Sequence, residues 1–181
     1  MTEYEFWTQD RALSVRISGA TLSKMIRLCS TANTVETGGI VVGHYNKALD
    51  CALISDIYGP PKDSKHQATR FYRGIRGVQR LLEALWREPW REYYLGDWHY
   101  HPHSSATPSS EDKDQLRKQS IKDDSQCKTP IMLVIGGDPN KDCLVKIFAH
   151  TPVAGFIELF PSSYTATAIA ACVHAGPRSS A

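Results

Sequence analysis

Gly96-Asp97-Trp98-His99-Tyr100-His101-Pro102-His103-Ser104-Ser105-Ala106-Thr107-Pro108-Ser109-Ser110-Glu111-Asp112 decides how this chain is read. The run Tyr93, Tyr94, Leu95 leads into it as a strand, and alternate residues of a strand share a face. His99 and His101 therefore present their imidazoles side by side. A Pro- and Ser-rich loop follows, and Ser109 to Asp112 opens a charged, helix-like segment that returns a carboxylate towards the imidazoles. Two neutral nitrogens and one carboxylate oxygen make a zinc set with one position open for water. Each part also has a plainer reading. His-x-His pairs occur as ordinary strand histidines. Ser109-x-x-Asp112 is nearly a capping box, in which Ser109 stabilises the helix start and Asp112 favours its positive end. Coincidence weighs against the plainer readings: with 7 His, 16 Ser and 11 Asp, His-x-His-x7-Ser-x2-Asp arises by chance in roughly one such chain per thousand. Cap and ligand roles also coexist, because a cap fixes where Asp112 points.

Upstream, Glu36-Thr37-Gly38-Gly39-Ile40-Val41-Val42-Gly43-His44-Tyr45 reads as a buried strand entered through two glycines, with Glu36 at its mouth. Residues 12–18 alternate apolar and polar as a half-buried strand. Thr21 is the expected N-cap of a helix whose Leu22, Met25, Ile26 and Cys29 share one face. Residues 51–58 form a further strand, and residues 62–69 are polar and loop-like. Val78, Leu81, Leu82 and Leu85 mark an amphipathic helix that Pro89 ends. Downstream, residues 112–126 read as a polar surface helix anchored by Leu116 and Ile121. The unbroken run 131–135 is a strand buried on both faces, 144–148 pairs beyond a Gly-Gly-Asp-Pro-Asn turn, and 155–160 adds a last strand. From Pro161 the pattern is small and polar, the mark of a loosely ordered tail. The expected fold is α+β: one domain over 1–160, a mixed sheet flanked by two main helices with the metal site at one end, and a tail over 161–181.

A chain of 181 residues with a formal net charge of +2 is sized for one domain and is far less basic than a dedicated nucleic-acid binder. No apolar run reaches bilayer length, and the acidic N-terminus lacks a signal-peptide core. The chain therefore reads as intracellular and cytoplasmic. Its five cysteines are widely spaced and never in Cys-x-x-Cys pairs, which suits reduced, buried thiols. Arg70, Arg73, Arg76 and Arg80 form a basic series before and into the second helix. It reads as a solvated face, or as a dock for an acidic patch.

On these residues the chain resembles the JAMM (MPN+, or JAB) zinc metalloproteases, whose pattern is an upstream Glu followed by His-x-His-x7-Ser-x2-Asp. His99, His101, Ser109 and Asp112 match with no gap, Glu36 matches the upstream acid, and the likeness spans roughly Ala12 to Phe160. The resemblance implies one Zn2+ on His99, His101 and Asp112 with water as the fourth ligand. It makes Glu36 the general base and then acid, and Ser109 the donor to the developing oxyanion. Many eukaryotic members carry Ser or Thr between the histidines and Pro-Gly after them; this chain has Tyr100 and His103. Tyr100 should point away from the ligands, and His103 reads as a loop residue.

Trp98-His-Tyr-His-Pro, the Glu-Thr-Gly-Gly opening and Gly59-Pro-Pro-Lys-Asp-Ser are similar to compact bacterial JAB proteins. Some of these are encoded beside ubiquitin-activating and ubiquitin-conjugating-like enzymes in antiphage operons, and relatives in the cyclic-oligonucleotide antiphage system (CBASS) release a CD-NTase-type nucleotidyltransferase from its conjugates by cutting after its C-terminal residue. The implied activity is that of an isopeptidase acting on a protein with an extended C-terminal tail joined to a lysine or another chain, with no nucleic-acid or membrane partner. Alternatives are a deconjugase or processing peptidase for a bacterial ubiquitin-like or sulfur-carrier protein, and a catalytically silent scaffold of the same fold. Silent relatives typically lose ligands, whereas this chain keeps all of them. A structural zinc would use four ligands rich in cysteine, and no cysteine lies near this set.

Overall fold

Buried and exposed residues alternate along Glu3–Trp7 (β1), Ser14–Ser18 (β2) and Cys51–Tyr58 (β4), while Thr37–Tyr45 (β3), Tyr93–Pro102 (β7) and Ile131–Gly137 (β8) are buried for most of their length. With Cys143–Thr151 (β9) and Gly155–Pro161 (β10), these strands close into a barrel in the order β1-β10-β9-β8-β7-β3-β4-β2. β2 returns to pair with β1, and the β2–β4 and β7–β8 pairs are parallel in an otherwise antiparallel sheet. The computed structural model describes residues 2–122 and 126–163. The sheet is mixed, as expected, with helices packed against it, and it closes into a barrel, which the expected sheet did not include. Closure removes free sheet edges and depends on β1, whose pairing with β10 places Phe6 opposite Pro161.

Two apolar clusters fix the architecture. Tyr4, Phe6, Val15, Ile17, Trp98, Tyr100, Ile131, Leu133, Ile135 and Ile147 belong to the main core, which the Leu22, Met25 and Cys29 stripe of helix α1 (Gly19–Ala32) joins. Met132 and Val134, pointing the other way from β8, meet Phe148, Ala106 and Leu116 in a second cluster. Leu116 is the apolar anchor of helix α3 (Ser110–Ser120). The unbroken 131–135 run is thus explained: one face fills the main core and the other seats α3.

Several local expectations are corrected. Ser18, not Thr21, caps α1, its side chain accepting from the Thr21 N–H (3.1 Å). α3 ends at Ser120, and Ile121 is 63% exposed rather than an anchor. Helix α2 (Val78–Arg87) buries no residue completely. Two short strands, Lys65–His66 (β5) and Phe71–Tyr72 (β6), form a separate hairpin where a loop was expected. The expected tail begins inside β10 at Pro161, and its residues 164–181 lie outside those described. Among the described residues, Cys29, Cys51, Cys127 and Cys143 are in no disulfide, and burial raises the Cys127 thiol to about 12, which keeps it unreactive. No helix among the described residues is long and apolar enough to cross a membrane.

Candidate metal centre

β7 carries the two histidines because its alternation is locked on both sides. Trp98 and Tyr100 point into the core, where the indole N–H donates to the Tyr58 carbonyl (2.9 Å) and the Tyr100 hydroxyl to the Asn33 carbonyl (3.0 Å). Asp97, His99 and His101 consequently face outward together. A β-bulge opposite Val41 and Val42 leaves Leu95 without a partner on β3, so Leu95 also turns into the core. The bulge passes through Gly96, where a side chain would strike the Ile131 backbone of β8.

Asp112 arrives from α3, aimed by its cap. Its Oδ2 accepts from the Ser109 N–H (2.8 Å) and the Ser109 hydroxyl (2.7 Å), while its own N–H donates to Ser109 Oγ (3.1 Å). This is a complete capping box, and it leaves Oδ1 free to face His99 Nδ1 at 3.6 Å. One donor atom each from His99, His101 and Asp112 lie within 4.8 Å of one another. Behind His101, Nδ1 approaches the Ser105 carbonyl at 3.4 Å, the kind of outer contact that orients a ligating imidazole.

Glu36 precedes β3. Since Thr37 pairs with Tyr100 and Gly38 with His99, the next step places Glu36 abreast of His101. Its backbone is held by the hairpin: the Glu36 N–H donates to the Gln67 carbonyl (2.8 Å), and His66 Nδ1 pairs with the Glu36 carbonyl (3.0 Å). Phe71 turns its ring edge-on to His99, with centroids 6.1 Å apart. Gly38 is required beneath it, because a side chain there would strike that ring and the Trp98 carbonyl. Glu36, Gln67, Arg70, Phe71, His99, His101, Ser109 and Asp112 line one cleft of about 420 Å³.

The donor set suits a zinc ion. Two imidazole nitrogens and one carboxylate oxygen match the donor types of an open zinc site, and here they lie within 4.8 Å of one another. Burial pushes the His99 pKa down, against the opposing pull of Asp112 and Asp97, which favours the neutral imidazole that metals bind. Burial raises the Glu36 carboxyl; His101 lowers it and Asp112 raises it further. A carboxyl so placed is nearer to the proton-exchanging range than a solvated one.

Residues outside the expected set also fall into place. His103 sits in an exposed turn with φ 55°, its N–H bonded to the Gly137 carbonyl (3.0 Å), and does not line the cleft. Tyr100 points away from the ligands, as expected. The arginine series divides. Arg70 bridges the cleft mouth to Glu111 (2.6 Å), Arg73 pairs with buried Asp97 (2.9 Å), and Arg76 and Arg80 are exposed. Gln67 and Phe71 gave no sequence signal, since strands of two residues have no period. Asp97 did, through its alternation with His99 and His101.

Residues 19–148 match the family described as prokaryotic homologs of the JAB domain. The chain belongs to this family. A relative from Enterobacter hormaechei, named a CD-NTase/cGAS isopeptidase, is 37% identical over 74% of this chain and 73% of its own. A Vibrio cholerae protein of the same name is 29% identical over 57% and 63% of the two chains. A probable metalloprotease of Sinorhizobium fredii is 26% identical over 68% and 76%. The solution structure of a Desulfitobacterium hafniense protein shares the fold at a TM-score of 0.56 and 18% identity, covering 78% of this chain and 86% of that one.

Proposed function

We infer that this JAB-family chain is a zinc-dependent isopeptidase that detaches a protein from its conjugates by cutting after that protein's C-terminal residue. The observation that carries the reading is the convergence of His99, His101 and Asp112 donor atoms within 4.8 Å, in the cleft that Glu36 also lines. Zinc, when bound, supplies water with a pKa of about 7 and polarises a carbonyl. Glu36 takes the proton of the attacking water. As the water oxygen bonds to the carbonyl carbon and the C–N bond breaks, Glu36 returns that proton to the leaving amine. Ser109 has two tasks. In the present geometry its hydroxyl proton points at Asp112 Oδ2; donation to the developing oxyanion requires the hydroxyl to turn, while the Ser109 N–H keeps Asp112 in place.

Both sides of β7 are occupied by β3 and β8, so an extended tail would lie along the short β5–β6 hairpin, the two-stranded sheet beside the cleft. For the substrate we favour the C-terminus of a CD-NTase-type nucleotidyltransferase, supported by the name of the Enterobacter relative. The test is a panel of purified lysine conjugates of a nucleotidyltransferase, a ubiquitin-like protein and a sulfur-carrier precursor. Preferential release of the nucleotidyltransferase supports the assignment, and preferential release of either other protein replaces it. No cleavage of any conjugate by metal-loaded protein would favour a silent scaffold.

A further inference from the structure

Beside the three proposed ligands lies a second polar cluster, built on one buried carboxylate. Asp97 is 2% exposed and faces the same side of β7 as His99 and His101. Its Oδ2 accepts hydrogen bonds from Gln115 Nε2 (3.1 Å) and Gln119 Nε2 (2.9 Å), both on α3. Its Oδ1 lies 2.9 Å from Arg73 Nε, close enough for an ion pair although off the hydrogen-bond direction. Arg73 follows β6, whose Phe71 abuts the His99 ring, and its guanidinium covers the Tyr94 ring at 5.9 Å. One carboxylate therefore ties together the strand bearing the histidines, the helix bearing Asp112 and the hairpin that holds Glu36.

Stability alone gives little reason for such a cluster. Taking two charges out of water is costly, and well-packed apolar residues in their place are often neutral or stabilising. Direction is what an apolar patch does not supply. Leu116 seats α3 through apolar contacts, which have no directional preference of their own. Gln115 and Gln119, about one helical turn apart, grip a single oxygen and fix both. Asp112 lies on the same side of the helix, three residues before Gln115, so its Oδ1 is set against His99 by the same grip.

We propose that Asp97, with Arg73, Gln115 and Gln119, is a positioning clamp that sets the separation of Asp112 from His99 and His101 and so the geometry of the metal. The inference rests on the metal-site reading above. Its test uses cobalt(II) as a spectroscopic metal in the full chain, with the paired apolar variant Asp97→Leu/Arg73→Met and the milder Gln119→Met. The paired variant is expected to melt within a few degrees of the parent, to bind cobalt at least tenfold more weakly, and to show shifted d–d bands with kcat lowered more than KM. Gln119→Met is expected to move the same readouts in the same direction by less, and it decides the matter should the paired variant not fold. Parent-like cobalt affinity and bands in folded variants would overturn the clamp. Failure of the parent chain itself to bind one cobalt would instead overturn the metal site, and the clamp with it.

Discussion

At the scale of single residues, Ser109 and Asp112 show how one short pattern serves folding and chemistry together. The cap occupies Asp112 Oδ2 twice over and turns Oδ1 toward His99. The plain reading of Ser-x-x-Asp as a helix start describes this geometry, and the same cap aims the carboxylate that we propose as a metal ligand. Ligand removal and base removal should then separate. His99→Ala is expected to abolish stoichiometric zinc by elemental analysis. Glu36→Gln is expected to keep zinc and to lower cleavage by about 10²–10⁴-fold; a near-parental rate would take Glu36 out of the mechanism. A third expectation concerns pH. His99 has its pKa depressed in the folded metal-free protein, chiefly by burial. Below the unfolded value of about 6.5, the unfolded chain gains a proton there that the folded chain resists. Stability is therefore lost as pH falls from about 7 towards His99's folded pKa. Thermal midpoints of the metal-free protein should drop over that window, and less steeply in His99→Gln. Parallel curves would contradict this.

At the scale of elements, α3 and the β5–β6 hairpin are held by different kinds of force. Leu116, fully buried against Met132, Val134 and Phe148, is the principal apolar hold on α3. Leu116→Ala should cost about 2–5 kcal/mol. Hydrogen exchange should show the loss in α3 and the 104–109 loop before the strands, and zinc affinity should fall with it. The Arg70–Glu111 pair at the cleft mouth is 48% and 69% exposed, so Arg70→Ala should cost no more than about 1 kcal/mol. A larger loss, measured by denaturant titration, would mean that the pair holds the hairpin down. Of these two elements the sequence displayed only α3. Its cap and its Leu116 are local signals, whereas β5 and β6 are created by contacts with Glu36 and His99 that no window of sequence contains.

At the scale of the whole molecule, closure is what the sequence concealed. The β1 strand carries a clean alternation, with Tyr4 and Phe6 each 1% exposed between the acidic Glu3 and Glu5, yet alternation names a face and not a partner. The partner, β10, lies some 150 residues away and pairs with β1 at Phe6–Pro161 and Trp7–Phe160. Most of the longer strands, the helix faces and the site spacing were legible because each rests on neighbours in sequence; β1 was not read as a strand, and the barrel was hidden because it rests on distant pairing. Closure bears on where the chain can be shortened. The Ser162 N–H donates to the Glu5 carbonyl (3.0 Å), so a chain cut after Phe160 loses part of the closing seam. A chain cut after Ser163 should melt higher than one cut after Phe160. Equal melting of the two would show that the seam is dispensable.

The most direct measurement is mass spectrometry of a nucleotidyltransferase–lysine conjugate after incubation with the purified chain, first stripped by a chelator and then reloaded with zinc. The expected result is a free C-terminal carboxylate and a free lysine with reloaded parent protein, and neither with the stripped parent or with reloaded Glu36→Gln. Undiminished cleavage by fully stripped protein would contradict a catalytic metal held by His99, His101 and Asp112.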